Sequence, residues 1–293
     1  MSPAIDATVR LPAAPKGEGE IFKDVVEEEN VGGKGLNVAR WLAVRGANVA
    51  CGGLLGEDNA APFEREMAKY GIEDKFTRVS GSTRRNEMIV WPGGSMKLNR
   101  SAFPGLELPP SVATSAILPG AALPGAIAIL SGSLPPAVPK DFYAQAVRHL
   151  KALGFAVVLD ASGAALVEGV KARPDVIKPN AEECEALVGF TPRTPDEFKR
   201  ATEMLQKTAE HVIISDGASG AWFDGAFTAA PKIDAVDTTA AGDTLLAEFC
   251  WRMGCAAKDR AAWAVAAGSA ACLMPGGAPP APETVERLYK EIS

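Results

Sequence analysis

The chain has 293 residues, 47% of them hydrophobic, and a net charge of −6. That is enough apolar material for a large core, in one α/β domain or two smaller ones. The acidic balance argues against a broad nucleic-acid-binding face, and no run of about eighteen apolar residues is available for a membrane helix. The opening MSPAIDATVR lacks the basic and then apolar pattern of a secretory signal. Cys51, Cys184, Cys250, Cys255 and Cys272 are scattered and odd in number, which fits reduced thiols in a cytoplasmic protein. The only histidines, His149 and His211, read as surface or strand-edge residues, which argues against a histidine-rich metal site or a Ser-His-Asp triad and leaves acid–base work to carboxylates.

In chain order, residues 7–31 read first as a β-ribbon. VGGKGLNVARWLAVRG (31–46) follows, a glycine-rich turn leading into a helix that stops at Gly46. Gly32, Gly33 and Gly35 let the backbone approach a ligand, although a tight turn with no ligand reads equally well. The pattern is neither the Walker nor the Rossmann fingerprint. Residues 83–99 form a second ribbon, in which EMIVWPGGSMKL is two strands around a Pro-Gly-Gly turn. Both ribbons flank motif-bearing segments, so the pair predicts a small sheet projecting over a site as a lid, compatible also with an oligomer interface.

From about residue 120 strands and helices alternate. AIAILSG (126–132), FAVVLD (155–160), DVIKPN (175–180) and HVIISDG (211–217) read as strands. Helices are predicted over PKDFYAQAVRHLKALG, AEECEALVG and TPDEFKRATEMLQKTAE, the last capped by Thr194. A small hairpin and three helices complete the chain, with GGAPPAPE (276–283) as a loop before the last helix. This alternation predicts a mostly parallel sheet covered on both faces, with ligands beyond the carboxyl ends of its strands. Ser131, Asp160, Asn180 and Asp216 end strands and are therefore candidate site residues.

DTTAAGDTLLAEF (237–249) places Ala240, Ala241 and Gly242 directly before or in the first turn of a helix. Free N–H groups and the positive end of the helix dipole there suit an anion, typically phosphate. Asp243 stands beside that anion site. Taken alone, it reads equally as a helix-capping carboxylate.

GGKGLNVAR and DTTAAGDTLLAEF resemble the two signatures of the ribokinase-like (phosphofructokinase-B type) carbohydrate kinases. TRRN at 83, SGSLPP at 131, IKPNAEE at 177 and SDGASGA at 215 resemble four intervening family segments, in order and across almost the whole chain. The resemblance implies one three-layer α/β/α domain over 1–293 with a mostly parallel central sheet and a β-sheet lid from about 7–31 and 83–100. It implies an ATP-dependent kinase in which Asp243 takes the proton from the acceptor hydroxyl and residues 240 to 243 form the anion hole. Asp6, Gly32, Gly33 and Asn37 are similar to residues that hold the sugar. Lys178, Asn180, Ser215, Gly217 and Gly220 resemble nucleotide contacts. Asn180 and Glu183 look like the pair that organises Mg2+ through water, a hard cation suited to oxygen ligands.

Lys34, Arg84 and Ser133 resemble the substrate-phosphate site of the 1-phosphofructokinase and tagatose-6-phosphate kinase branch, so a ketohexose phosphate is the expected acceptor, with Arg85 and Arg100 nearby. An unphosphorylated sugar or nucleoside is the alternative acceptor, and a weakly active binding protein the alternative class. Lid strands in this family often pair across a dimer, so a homodimer is expected by analogy. Two departures matter. Ala240 replaces the usual glycine, and only Met1 to Ile5 precede Asp6 where a full apolar strand is usual. The second implies unpaired ladder groups, an unfilled core slot and a poorly anchored Asp6.

Overall fold

A computed structural model describes residues 3–23, 25–103 and 124–292. Met1 and Ser2 of the short leading stretch, and Asp24 in the first expected lid segment, lie outside the described residues.

The chain opens with β1 (Ala4–Arg10), which pairs antiparallel with β2 (Val26–Gly32) and parallel with β5 (Arg85–Trp91). β6 (Gly94–Leu98) pairs antiparallel with β5 and completes a four-stranded sheet ordered β2-β1-β5-β6. β1 follows the two-residue alternation of a half-buried strand, with Ile5 and Ala7 buried and Asp6 and Thr8 on the opposite face. Asp6 lies opposite Asn30 on one side and Asn86 on the other. The expected poor anchoring of Asp6 is thus corrected: ladder pairing on both sides fixes its backbone.

The main sheet has six strands in the order β12-β11-β10-β9-β8-β7. β7 (Ile127–Ser131), β8 (Ala156–Asp160), β9 (Val176–Ile177) and β10 (His211–Ser215) run parallel. The hairpin β11 (Gly220–Phe223) and β12 (Ala226–Ala229) extends the sheet antiparallel. The strand expected over 175–180 shrinks to two residues, because Pro179 has no N–H to give a ladder.

Successive side chains of β8 enter opposite layers. Val157 and Leu159 pack with Leu150 of α3 (Phe142–Ala152), Leu166 of α4 (Gly163–Val170) and Phe198 of α6 (Pro195–Leu205). Val158 packs with Leu245, Leu246 and Phe249 of α7 (Ala241–Trp251) and Ala264 and Val265 of α8 (Ala257–Ala271). These three layers are the architecture read from the sequence. α1 (Lys34–Val44) and α9 (Pro282–Ile292) add a further apolar cluster through Trp41, Val285 and Leu288. Thr194 caps α6 in a reciprocal box: Glu197 N donates to Thr194 Oγ1 at 3.4 Å and Thr194 N to Glu197 Oε2 at 3.0 Å. The short helix α5 (Glu183–Val188) ends at Gly189, in the left-handed region with φ 86°.

β3 (Ala50–Gly56) and β4 (Glu73–Val79), joined through α2 (Ala61–Lys69), form a separate two-stranded parallel sheet. Among the described residues no strand connects β3 to β7, so the central sheet is divided into two pieces.

Candidate active site

Two cavities lie on either side of the N-terminus of α7. The first, of about 500 Å³, is lined by Asp6, Gly33, Lys34, Asn37, Arg84, Ser133, Ala240 and Asp243. The second, of about 770 Å³, is lined by Ser215, Gly217, Gly220, Ala241 and Gly242. Thr238 borders both. Ala240 turns the chain into the helix with φ 65° and ψ 1°; Thr239, Ala240 and Asp243 line the first cavity, and Ala241 and Gly242 the second.

Asp243 is 6% exposed and accepts a hydrogen bond from Asn37 Nδ2 at 2.7 Å. Arg40 Nη2 donates to Asn37 Oδ1 at 2.5 Å and to the Gly277 carbonyl at 3.0 Å. These contacts orient the Asn37 amide with its N–H toward Asp243. Helical spacing does this locally: Asn37 and Arg40 are three apart on α1 and share one face.

Beneath this pair lies Asp160, at the end of β8 and fully buried. Its Oδ1 accepts from Lys34 Nζ at 2.9 Å and lies 3.2 Å from Lys178 Nζ, while Oδ2 has no partner among the described residues. Burial and then the Asp160 charge push the Asp243 carboxyl up to about 6, against the opposing pull of Lys34, Asn37 and Lys178. Burial lowers the Lys34 pKa, but the Asp160 and Asp243 charges reverse this and leave it raised. The site thus holds the Lys34 ammonium charged beside a carboxyl poised to exchange a proton.

On the lid side, Asp6 Oδ1 accepts from Asn86 Nδ2 at 2.8 Å. Gly32 is required beside it, since a Cβ there would run into Asp6 Oδ2. Arg84 Nη1 donates to Ser133 Oγ at 3.3 Å, and burial holds the Arg84 pKa down although Asp6 opposes the shift. Arg85 and Arg100 sit apart from this cavity's lining. Arg85 pairs with Glu27, Glu29 and Glu87, and Arg100 with Glu87.

Lys178 is 4% exposed, with its Nζ 3.3 Å from where a Cβ on Gly242 would stand. Asn180 and Glu183 line neither cavity. Asn180 N donates to Glu183 Oε2 at 2.9 Å and Glu183 N to Asn180 Oδ1 at 2.7 Å, a reciprocal arrangement that fixes the entry to α5. Asn180 also bridges to Ser215, tying this turn to the second cavity's wall. The described residues contain no cluster of three His, Cys, Asp or Glu side chains fit for a metal. Asn180 and Glu183 therefore suit only a cation that keeps water and phosphate oxygens in its shell. Sequence reasoning named Asp160 a candidate site residue only because it ends a strand, and it missed Arg40 and Asn86. The three-residue spacing of Asn37 and Arg40 was the available signal.

The pattern of the pfkB family of carbohydrate kinases matches residues 3–284. This chain belongs to that family. The kinase is 40% identical over 224 residues to the 1-phosphofructokinase of Haemophilus influenzae, covering 73% of this chain and 71% of that protein. It is 33% identical over 259 residues to the 1-phosphofructokinase of Vibrio cholerae, covering 86% and 80%. Phosphofructokinase-2 from Escherichia coli, solved with substrates and products, shares its fold with a TM-score of 0.87 at 23% identity, over 100% of this chain and 97% of that one. Ribokinase from Thermotoga maritima superposes with a TM-score of 0.73. The chain is an ATP-dependent sugar kinase of the sugar-phosphate type.

Proposed function

We propose that this kinase transfers the γ-phosphoryl group of ATP to a hydroxyl of fructose 1-phosphate, with Asp243 as the general base. The observation that carries this reading is the position of Asp243, buried in the wall of the first cavity, next to Gly242 in the wall of the second, and hydrogen-bonded to Asn37. The acceptor occupies the first cavity, where Asp6, Gly33 and Asn37 offer hydrogen bonds to its hydroxyls. Lys34, Arg84 and Ser133 supply positive charge and a donor for its phosphate ester. The relatives named 1-phosphofructokinase support the 1-phosphate among ketohexose esters.

ATP lies in the second cavity, against Ser215, Gly217 and Gly220, with its phosphates directed toward Lys178 and the N–H groups of Ala241 and Gly242. As the hydroxyl attacks, Asp243 accepts its proton, while Ala240, Ala241, Gly242 and the helix dipole stabilise charge on the transferring group. Asn180 and Glu183 would hold Mg2+ through water, and the ion would neutralise the nucleotide phosphates. The five free cysteines suit a reducing cytoplasm, and the exposed lid residues Met96 and Leu98 suit pairing in a homodimer.

The test is ADP release from the purified chain with fructose 1-phosphate, fructose 6-phosphate, tagatose 6-phosphate, fructose, ribose and adenosine. Turnover is expected on fructose 1-phosphate, and Asp243→Asn lowers it by about 10²-fold to 10⁴-fold. Preference for an unphosphorylated acceptor would overturn the substrate assignment, and undiminished turnover in the variant would overturn the base.

A further inference from the structure

Arg40 of α1 lines neither cavity, yet it is 3% exposed and its guanidinium makes three directed contacts. Nη1 donates to Glu66 Oε1 of α2 at 2.9 Å. Nη2 donates to Asn37 Oδ1 and to the carbonyl of Gly277, in the turn Pro275–Gly277. Nε is buried and has no hydrogen-bond partner among the described residues, so the outer nitrogens alone fix the plane of the group. Glu66 is the one carboxylate paired with Arg40 among the described residues, and a buried guanidinium needs such a counter-charge.

What this arrangement controls is the amide of Asn37. The two ends of an amide have nearly the same shape and opposite hydrogen-bonding character. Asn37 donates to Asp243 only with Nδ2 turned toward it; reversed, its Oδ1 would face the carboxylate and repel it. While Asp243 is ionised, its own charge selects the donating orientation. Once Asp243 has taken a proton that selection weakens, because a carboxyl group both donates and accepts. The Arg40 contact does not weaken. A guanidinium has donors only and stays charged throughout, so it holds Asn37 Oδ1 in either state of the base.

We propose that Arg40 and Glu66 are positioning residues for phosphoryl transfer: Glu66 fixes the Arg40 guanidinium, Arg40 fixes the Asn37 amide, and Asn37 holds Asp243 toward the acceptor hydroxyl. This rests on the reading of Asp243 as the base. A plain staple between α1, α2 and the turn at 275–277 would affect stability alone.

The test compares Arg40→Lys, Glu66→Ala and Asp243→Asn in the full chain, with thermal midpoints recorded alongside. The substrates are ATP and the phosphate ester turned over fastest in the panel above, fructose 1-phosphate being expected. Arg40→Lys keeps the charge but loses the fork that reaches three acceptors, and Glu66→Ala leaves every cavity residue in place. Expected is a kcat at least about tenfold lower in Arg40→Lys and about threefold lower in Glu66→Ala, with KM for ATP within about twofold of the parent. The acid limb of kcat/KM moves upward in both by at least about half a pH unit, since an unheld Asn37 no longer favours the ionised base. Asp160, Lys34 and Lys178 also face Asp243, and neither substitution touches them. In an Asn37→Ala background, Arg40→Lys is expected to change the single-turnover rate by less than about twofold.

A thermal midpoint that falls while kcat and the acid limb stay put would overturn the proposal, as would full additivity of Arg40→Lys with Asn37→Ala. If Arg40→Lys does not fold, Glu66→Ala, at a partly buried helix position, decides. Undiminished turnover in Asp243→Asn would overturn the base and this proposal together. Loss of turnover there, with Arg40→Lys and Glu66→Ala at the parental rate, would overturn this proposal alone.

Discussion

Asp243 joins burial to ionisation, and two consequences follow from a carboxyl pushed up to about 6. A base must be deprotonated, so kcat/KM is expected to fall about tenfold per pH unit below pH 6 and to level off above it. The stability effect has the opposite sense. The unfolded carboxyl titrates near 3.9, so the protonated folded form stabilises the protein fully below that pH. This contribution is lost as pH rises through about 6. Asp243→Asn is therefore expected to be more stable than the parent at pH 8, by about 3 kcal/mol, with the difference vanishing near pH 4 in urea titrations. Ala240 presents a closer balance. Its φ of 65° strains a side-chain-bearing residue by about 1–2 kcal/mol. Glycine would relieve that strain but lose about 0.8 kcal/mol from a buried methyl and about 0.4–1 kcal/mol through a more flexible unfolded chain. Ala240→Gly is thus expected to shift unfolding stability by less than about 1 kcal/mol, a value the same titration measures. Arg84→Ala is expected to raise KM for the phosphorylated acceptor at least about tenfold and leave KM for ATP unchanged, the loss of a charged hydrogen bond being of order 1.5–3 kcal/mol.

Among the elements, the hairpin of β11 and β12 forms a wall of the second cavity through Gly220, whose φ is 133°. A Cβ at Gly220 would collide with the Thr228 carbonyl in the partner strand. Backbone cannot move aside as a flexible side chain would, so Gly220→Ala is expected to lower the thermal midpoint and weaken ATP binding more than tenfold, as read by calorimetry. Elements with a strong local signal were legible from sequence. The near-continuous apolar runs of β8 and β10 and the Thr194–Glu197 box of α6 each follow from the order of residues. β9 was over-extended because apolar content suggested a strand that Pro179 interrupts. The charged cluster was less legible, because Lys34, Asp160 and Lys178 are far apart in sequence and meet only where α1, β8 and β9 converge.

At the scale of the whole molecule, the β2-β1-β5-β6 sheet gives Asp6, Asn86 and Lys97 to the wall of the first cavity. Met96 and Leu98 lie two apart on β6, opposite Ile89 and Glu87 of β5, and are 50% and 40% exposed. Apolar residues so exposed on an edge strand invite association. Sedimentation is expected to show a homodimer that Met96→Lys converts to monomer without lowering the stability of the fold.

The sequence by itself determined the family and the layered architecture, because these are encoded in short, ordered stretches: two glycine-rich or small-residue turns, four motifs between them, and apolar runs of strand and helix length. Only the tertiary structure decided which residues face one another. Asn37 meets Asp243 across 206 positions of chain, and the Arg40 contact that orients it depends on how α1 packs beside α7. The anchoring of Asp6 was likewise decided by pairing partners on β2 and β5. The physical reason is common to all: residue identity and spacing dictate local conformation, whereas electrostatics and ladder pairing act through space.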